Sequence, residues 1–287
     1  MRAYLAVLIA SALIAPACRS APESRTYNLQ GQVLAVAADR QQATIEHEEI
    51  QGLMAAMTMT FAVKDARLLE GIGAGDLVDA TLVVDENESY MTDVRKVGEA
   101  PLEAPPPAPA ASSGVELLTP GDPVPDAEFV DQDGRARTFS SFKGSPLAIT
   151  FIYTSCPIPD FCPLMDRNFA AVQQALDDDP MLRGVHLLSV SFDPLTDTPA
   201  VLERHAERLQ ADPARWTFVT GDRDDIDRFA ARFGVSVTRS PDNPIDIAHN
   251  LRTVVVDADG RVVTIHTGNR WTPEELVADL KAVAGRP

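Results

Sequence analysis

Residues Leu147 to Met165 read L-A-I-T-F-I-Y-T-S-C-P-I-P-D-F-C-P-L-M. The opening run, Leu147 to Tyr153, is apolar, β-branched or aromatic at nearly every position, the pattern of a short buried strand. It breaks into a loop stiffened by Pro157 and Pro159 that carries Cys156 and Cys162, and a helix-like segment follows from Leu164 to Leu176. Two thiols between the C-terminal end of a strand and a helix N-terminus are placed for redox chemistry or for a soft metal ion. Pro163 suits the first position of a helix, so Cys162 is the expected N-cap. The partial positive charge of a helix N-terminus lowers the pKa of a nearby thiol. The plainer reading, two inert core cysteines, fits cysteine as a residue type but not the pairing of two in one short loop.

Outward from this loop, strands alternate with helices. Val185–Phe192 and Trp216–Thr220 read as strands, and Pro199–Gln210 and Asp225–Phe233 as helices. Arg252–Asp257 and Arg261–His266 form a hairpin around Ala258-Asp259-Gly260. Thr272-Pro273-Glu274-Glu275 opens the last helix with a capping box and a proline at its first position. This order predicts a thioredoxin-like α/β domain.

The first part of the chain is different. Tyr27–Ala38, Gln41–Ile50, Met57–Val63, Asp76–Glu86 and Tyr90–Gly98 alternate apolar and polar residues and are separated by turn residues, which predicts a small all-β barrel of the OB type. Glu99 to Gly114 is rich in proline and alanine and has no core-forming period; it reads as a semi-rigid linker.

Three of the 7 methionines fall in Met54-Ala55-Ala56-Met57-Thr58-Met59. On a strand Met57 and Met59 share a face, and His47 on the preceding strand is their candidate neighbour. Two thioethers and an imidazole suit Cu(I) or Ag(I); spacing alone favours methionines that fill a barrel core.

The N-terminus carries Arg2, an apolar run from Leu5 to Ile14, and Ala15-Pro16-Ala17-Cys18, the layout of a secretory signal peptide over residues 1–17. Cys18 after small residues resembles a bacterial lipobox, with Ala15 where leucine is usual, and would be the lipidated first residue of the mature chain. This leaves Cys156 and Cys162 as the other two of the 3 cysteines. Export would place them where a dithiol oxidises unless it is reduced or metallated. The net charge of −17 supplies no basic patch and argues against nucleic acid as a partner.

The cysteine loop resembles the active loop of the Sco/SenC family. Asp193-Pro194-Leu195-Thr196-Asp197-Thr198-Pro199 matches that family's D-P-x-x-D-T-P segment, and His249, before the strand Leu251–Asp257, falls where the family keeps a distal histidine. The resemblance runs over about residues 117–287. It implies a thioredoxin-like fold, copper held by Cys156, Cys162 and His249, and service to the dinuclear copper site of cytochrome c oxidase. Five residues separate the cysteines here, where three are usual, and Ala248 stands where an acidic residue is usual. Residues 26–98, with T-I-E-H-E-E-I, M-A-A-M-T-M-T-F and G-A-G-D-L-V, resemble CusF-like periplasmic copper-binding barrels. That resemblance implies Cu(I) ligation by His47, Met57 and Met59, with Met54 replacing a capping tryptophan and offering a fourth soft ligand.

The expectation is an exported, lipid-anchored copper chaperone. Its partner would be an apo copper-site subunit of cytochrome c oxidase or another periplasmic copper protein. Two other classes stay open: a thiol–disulfide oxidoreductase cycling Cys156 and Cys162, and a copper-sequestering tolerance protein. A thiol peroxidase is disfavoured, because Tyr153 stands where peroxiredoxins place Thr or Ser. The remaining polar residues carry plainer expectations. His205 is expected on a solvated helix face, His186 and His266 on strands without ligand partners, and Asp193 and Asp197 in turn and helix-start hydrogen bonds.

Overall fold

The computed structural model describes residues 24–85, 88–102, 115–239 and 247–285. The expected signal peptide, Cys18 and residues 103–114 of the expected linker lie outside these.

The N-terminal part is an antiparallel sheet of five strands, β1 (Arg25–Val36), β2 (Gln42–His47), β3 (Met57–Ala62), β4 (Asp76–Val84) and β5 (Ser89–Glu99), in the order β3-β2-β1-β4-β5. A bridge between Val63 and Met91 brings the ends of β3 and β5 together, giving an open, OB-like barrel. Alternation decides which side chains go in. On β2, Ala43, Ile45 and His47 are buried, while on β3 Met59 and Phe61 are buried and Thr58 and Thr60 exposed. The interior is closed by Leu29, Val33, Leu69, Leu82 and Met91.

The C-terminal part is a seven-stranded mixed sheet. Its strands are β6 (Glu128–Asp131), β7 (Ala136–Thr138), β8 (Leu147–Ile152), β9 (His186–Ser191), β10 (Trp216–Thr220), β13 (Arg252–Val256) and β14 (Val262–Thr267), in the order β14-β13-β8-β9-β10-β6-β7. Strands β8, β9 and β10 are parallel, and every residue of β8 is buried, as strands covered on both faces require. A separate two-stranded ribbon pairs β11 (Val237–Arg239) with β12 (Ile247–His249). The helices are α1 (Cys162–Asp178), α2 (Pro199–Arg208), α3 (Arg223–Arg232) and α4 (Pro273–Ala284). The start of α4 is fixed as the sequence dictates: both halves of the Thr272/Glu275 capping box form. Strands β6 and β7, too short for a periodic signal, were not anticipated. They join the sheet through pairing with β10 and with each other.

Two expectations are corrected. Cys162 is not the N-cap of α1: Phe161 holds that position and Cys162 is the first helical residue, with Pro163 behind it. His205 is not on a solvated face. It is buried on α2 beside Leu202 and Ala206, with Nε2 2.9 Å from Asp166 Oδ2 of α1. Leu202, His205, Ala206 and Leu209 share one helical face, so the stripe was present in the sequence but hidden by the charged residues between.

Candidate metal centre

Strand β8 ends at Ile152, and the chain turns through Thr154 and Ser155 into the cysteine loop. This turn is held by Asp197, which accepts from Thr154 N at 3.0 Å, from the Thr154 hydroxyl, and from Ser191 Oγ at 2.6 Å. The D-P-x-x-D-T-P segment therefore does more than start α2. Its second aspartate reaches back and clamps the backbone two residues before Cys156.

Cys162 is 1 % exposed, and its Sγ lies 3.5 Å from His249 Nε2. His249 Nδ1 lies 3.0 Å from the carbonyl of Asn250. Nε2 is the ring nitrogen turned to the Cys162 sulfur. The imidazole is enclosed by Phe192, Tyr153 and Phe161, with ring centroids 4.6, 5.6 and 6.2 Å away. Tyr153 thus packs against the histidine rather than facing a peroxide.

Both cysteines are free thiols. They share protons unequally. A hydrogen bond from Cys162 outweighs burial, and with help from His249 it holds the Cys156 thiol well below the ordinary value. Burial pushes Cys162 well above it, and its role as donor to Cys156 pushes it further. The pair is one thiol of lowered pKa supported by a second that donates to it. Among the described residues no three His, Cys, Asp or Glu side chains form a ready-made cation cage.

In the barrel, His47 on β2 lies directly opposite Met57 on β3, and Ile45 opposite Met59. His47 is 2 % exposed, with Nδ1 2.7 Å from the Glu48 carbonyl and its ring edge-on to Phe61. Its Nε2 is buried without a hydrogen-bond partner. A buried imidazole with one nitrogen tied to a carbonyl and the other orphaned is what a metal-binding histidine presents. Burial also lowers its pKa, keeping the ring in the neutral, ligating form. Gly31 on β1 makes room for it. A Cβ there would stand 2.4 Å from the Glu46 carbonyl oxygen and 2.7 Å from His47 Cα. Met54 closes the turn Ile50–Met54, where Gly52 takes φ +78°.

Soft donors from the two parts of the chain meet. Met54, Met57 and Met59 from the barrel and Cys156, Phe161 and His249 from the α/β domain line a single cavity of about 550 Å³. Cys156 packs against both hydrophobic cores. Sequence reasoning nominated each set of candidate donors but not this juxtaposition, which depends on contacts between residues more than ninety positions apart.

A dithiol on a thioredoxin-like sheet with a histidine beside it defines a class, and comparison with known proteins narrows it. The profile of the SCO1/SenC family matches residues 120–285, more than half of the chain, and the protein belongs to that family. Residues 26–96 match the profile of the copper binding periplasmic protein CusF. The SCO1 protein homolog of Bacillus subtilis is 27 % identical over 158 residues, covering 54 % of this chain and 80 % of the relative. The crystal structure of a SCO1/SenC family lipoprotein from Bacillus anthracis is 26 % identical, with a TM-score of 0.52 over 58 % of this chain and 99 % of that one. The structure of BsSco, described as carrying a disulfide switch and as a member of the Sco family of cytochrome c oxidase assembly proteins, is 26 % identical with a TM-score of 0.51. It covers 60 % of this chain and 99 % of its own. Among the described residues no helix is long and apolar enough to cross a membrane.

Proposed function

We propose that this protein is an exported, lipid-anchored copper chaperone that captures Cu(I) on its N-terminal barrel and delivers it from its cysteine site to an apo copper protein, the dinuclear copper subunit of cytochrome c oxidase being the recipient. The barrel ligands would be His47, Met57 and Met59, with Met54 as a fourth thioether in reach. The delivery ligands would be Cys156, Cys162 and His249. All are soft or borderline donors of the kind that select Cu(I) over hard cations. The observation that carries the reading is the cavity that Met54, Met57 and Met59 share with Cys156 and His249.

The decisive test is an anaerobic Cu(I) titration of the reduced, signal-free chain against a competing chelator. Cys156→Ser/Cys162→Ser and Met57→Leu/Met59→Leu are run beside it. Two tight equivalents in the wild type, with one lost in each double variant, is the expected result. A single equivalent lost only in the methionine variant would remove the cysteine site from copper binding. It would favour a second reading, a thiol–disulfide oxidoreductase, for which the two free thiols of one loop, Cys156 and Cys162, are the specific observation. Loss of copper resistance without loss of oxidase activity on deletion of the gene would instead favour a sequestering role.

A further inference from the structure

The residues between the cysteines have a destination. Ile158, near the middle of the loop, is 6 % exposed and belongs to the hydrophobic core of the barrel, not to that of its own domain. Asp160 reaches across as well: its Oδ2 accepts from the backbone N–H of Ser89 at 2.8 Å and from Ser89 Oγ at 2.7 Å, at the first residue of β5. The loop's own domain braces it from behind, Arg167 Nη2 donating to the Pro159 carbonyl at 3.0 Å and Asn269 Nδ2 to the Asp160 carbonyl at 2.9 Å. Apolar insertion, a two-donor carboxylate contact and two braces converge on the residues that lengthen this loop.

We infer that the five-residue span between Cys156 and Cys162 is an interdomain plug. It seats the barrel over the cysteine site and closes both ligand sets into one chamber. The chamber part of this inference rests on the copper reading above; the plug does not. Within the closed chamber copper passes by ligand exchange alone. Cu(I) bonds to His47, Met57 and Met59 break as Cu(I) bonds to the Cys156 thiolate and to His249 form. Copper stays Cu(I), and when Cys162 joins as a second thiolate its proton leaves to solvent. A docked barrel also covers the cysteine site, so delivery to another protein requires the plug to be withdrawn.

The test uses full-length chains carrying Ile158→Ser/Asp160→Ala, with Ser89→Ala as a milder variant that removes one donor and leaves the barrel core intact. First, alkylation of Cys156 in the reduced, metal-free chain is followed by peptide mass spectrometry. The double variant should react about tenfold faster, the factor expected for losing a hydrogen bond to a carboxylate, and Ser89→Ala should move the same way by less. Second, a Cys156→Ser/Cys162→Ser chain loaded with Cu(I) on its barrel is mixed with a metal-free Met57→Leu/Met59→Leu chain. Transfer between these chains should be slow when both are docked and at least tenfold faster when both also carry the double plug variant. Unchanged alkylation in both variants overturns the plug. Faster alkylation with unchanged transfer overturns the shared chamber. A donor chain that takes up no Cu(I) defeats the barrel copper reading, and alkylation then decides the plug by itself.

Discussion

Asp197 accepts a hydrogen bond from the backbone N–H of Thr154 at 3.0 Å, tying the start of α2 to the turn that presents Cys156. The contact spans 43 residues of sequence and is fully buried on the Asp197 side. It also satisfies the hydroxyls of Thr154 and Ser191, so one carboxylate organises three donors. Burial raises the Asp197 pKa against these bonds, which marks how much the site depends on them all being made.

Asp197→Ala leaves those three donors facing a void. The expected loss of stability is about 2–4 kcal/mol, the range for breaking a buried polar network, measured by urea unfolding. Cu(I) affinity at the cysteine site should fall while the barrel site keeps its own, which a chelator competition on the Met57→Leu/Met59→Leu and Cys156→Ser/Cys162→Ser backgrounds resolves. Asp197→Asn retains one acceptor and should lose less of both.

Gly31→Ala tests the barrel from outside the ligand set. The added Cβ would meet the backbone of Glu46 and His47 as well as the buried Ile45 side chain. Overpacking of this kind costs about 1–3 kcal/mol and shifts the strand that carries His47. The barrel should lose at least tenfold in Cu(I) affinity with the cysteine site unchanged, a split that general destabilisation would not produce.

How much of this was legible beforehand follows from the range of each interaction. Strand β10 was read to its ends, and the capping box of α4 to its two hydrogen bonds, because both are local patterns. The candidate donors Cys156 and Cys162 were nominated from residue type and their place in the loop, and His47, Met57 and Met59 from alternation together with the CusF-like resemblance. His205 was misplaced because four charged neighbours masked one apolar stripe. Ile158 and Asp160 looked like mere loop length: their partners lie in the other domain, 71 residues away in the case of Ser89, and no local pattern encodes such a contact.

His186 makes stability depend on pH. It sits at the start of β9 with Nε2 2.8 Å from Thr217 Oγ1, and burial pushes its pKa down from 6.5 to about 4. The unfolded chain therefore binds more protons than the folded one between those values. Stability is full above the higher value and falls as pH drops through the window, by up to about 3 kcal/mol from this group. Urea midpoints measured from about pH 7 to about pH 4 should fall less steeply for His186→Gln than for the wild type. Parallel curves would mean that His186 titrates in the folded protein as it does in the unfolded chain.

The unequal thiols make the last prediction. The Cys156 thiolate is held down first by the hydrogen bond from Cys162 and secondarily by His249, against the cost of burial. In the reduced, metal-free protein, iodoacetamide should modify Cys156 ahead of Cys162, with an inflection in rate well below the ordinary thiol pKa. Removing a donor that favours the charged form raises the pKa, so Cys162→Ala and His249→Ala should both move the inflection upward, Cys162→Ala by more. Cys162→Ser keeps an O–H donor and should restore most of the shift. An inflection that Cys162→Ala leaves in place would mean that the low pKa comes from the helix N-terminus instead, and the proton-sharing account of the pair would have to be given up.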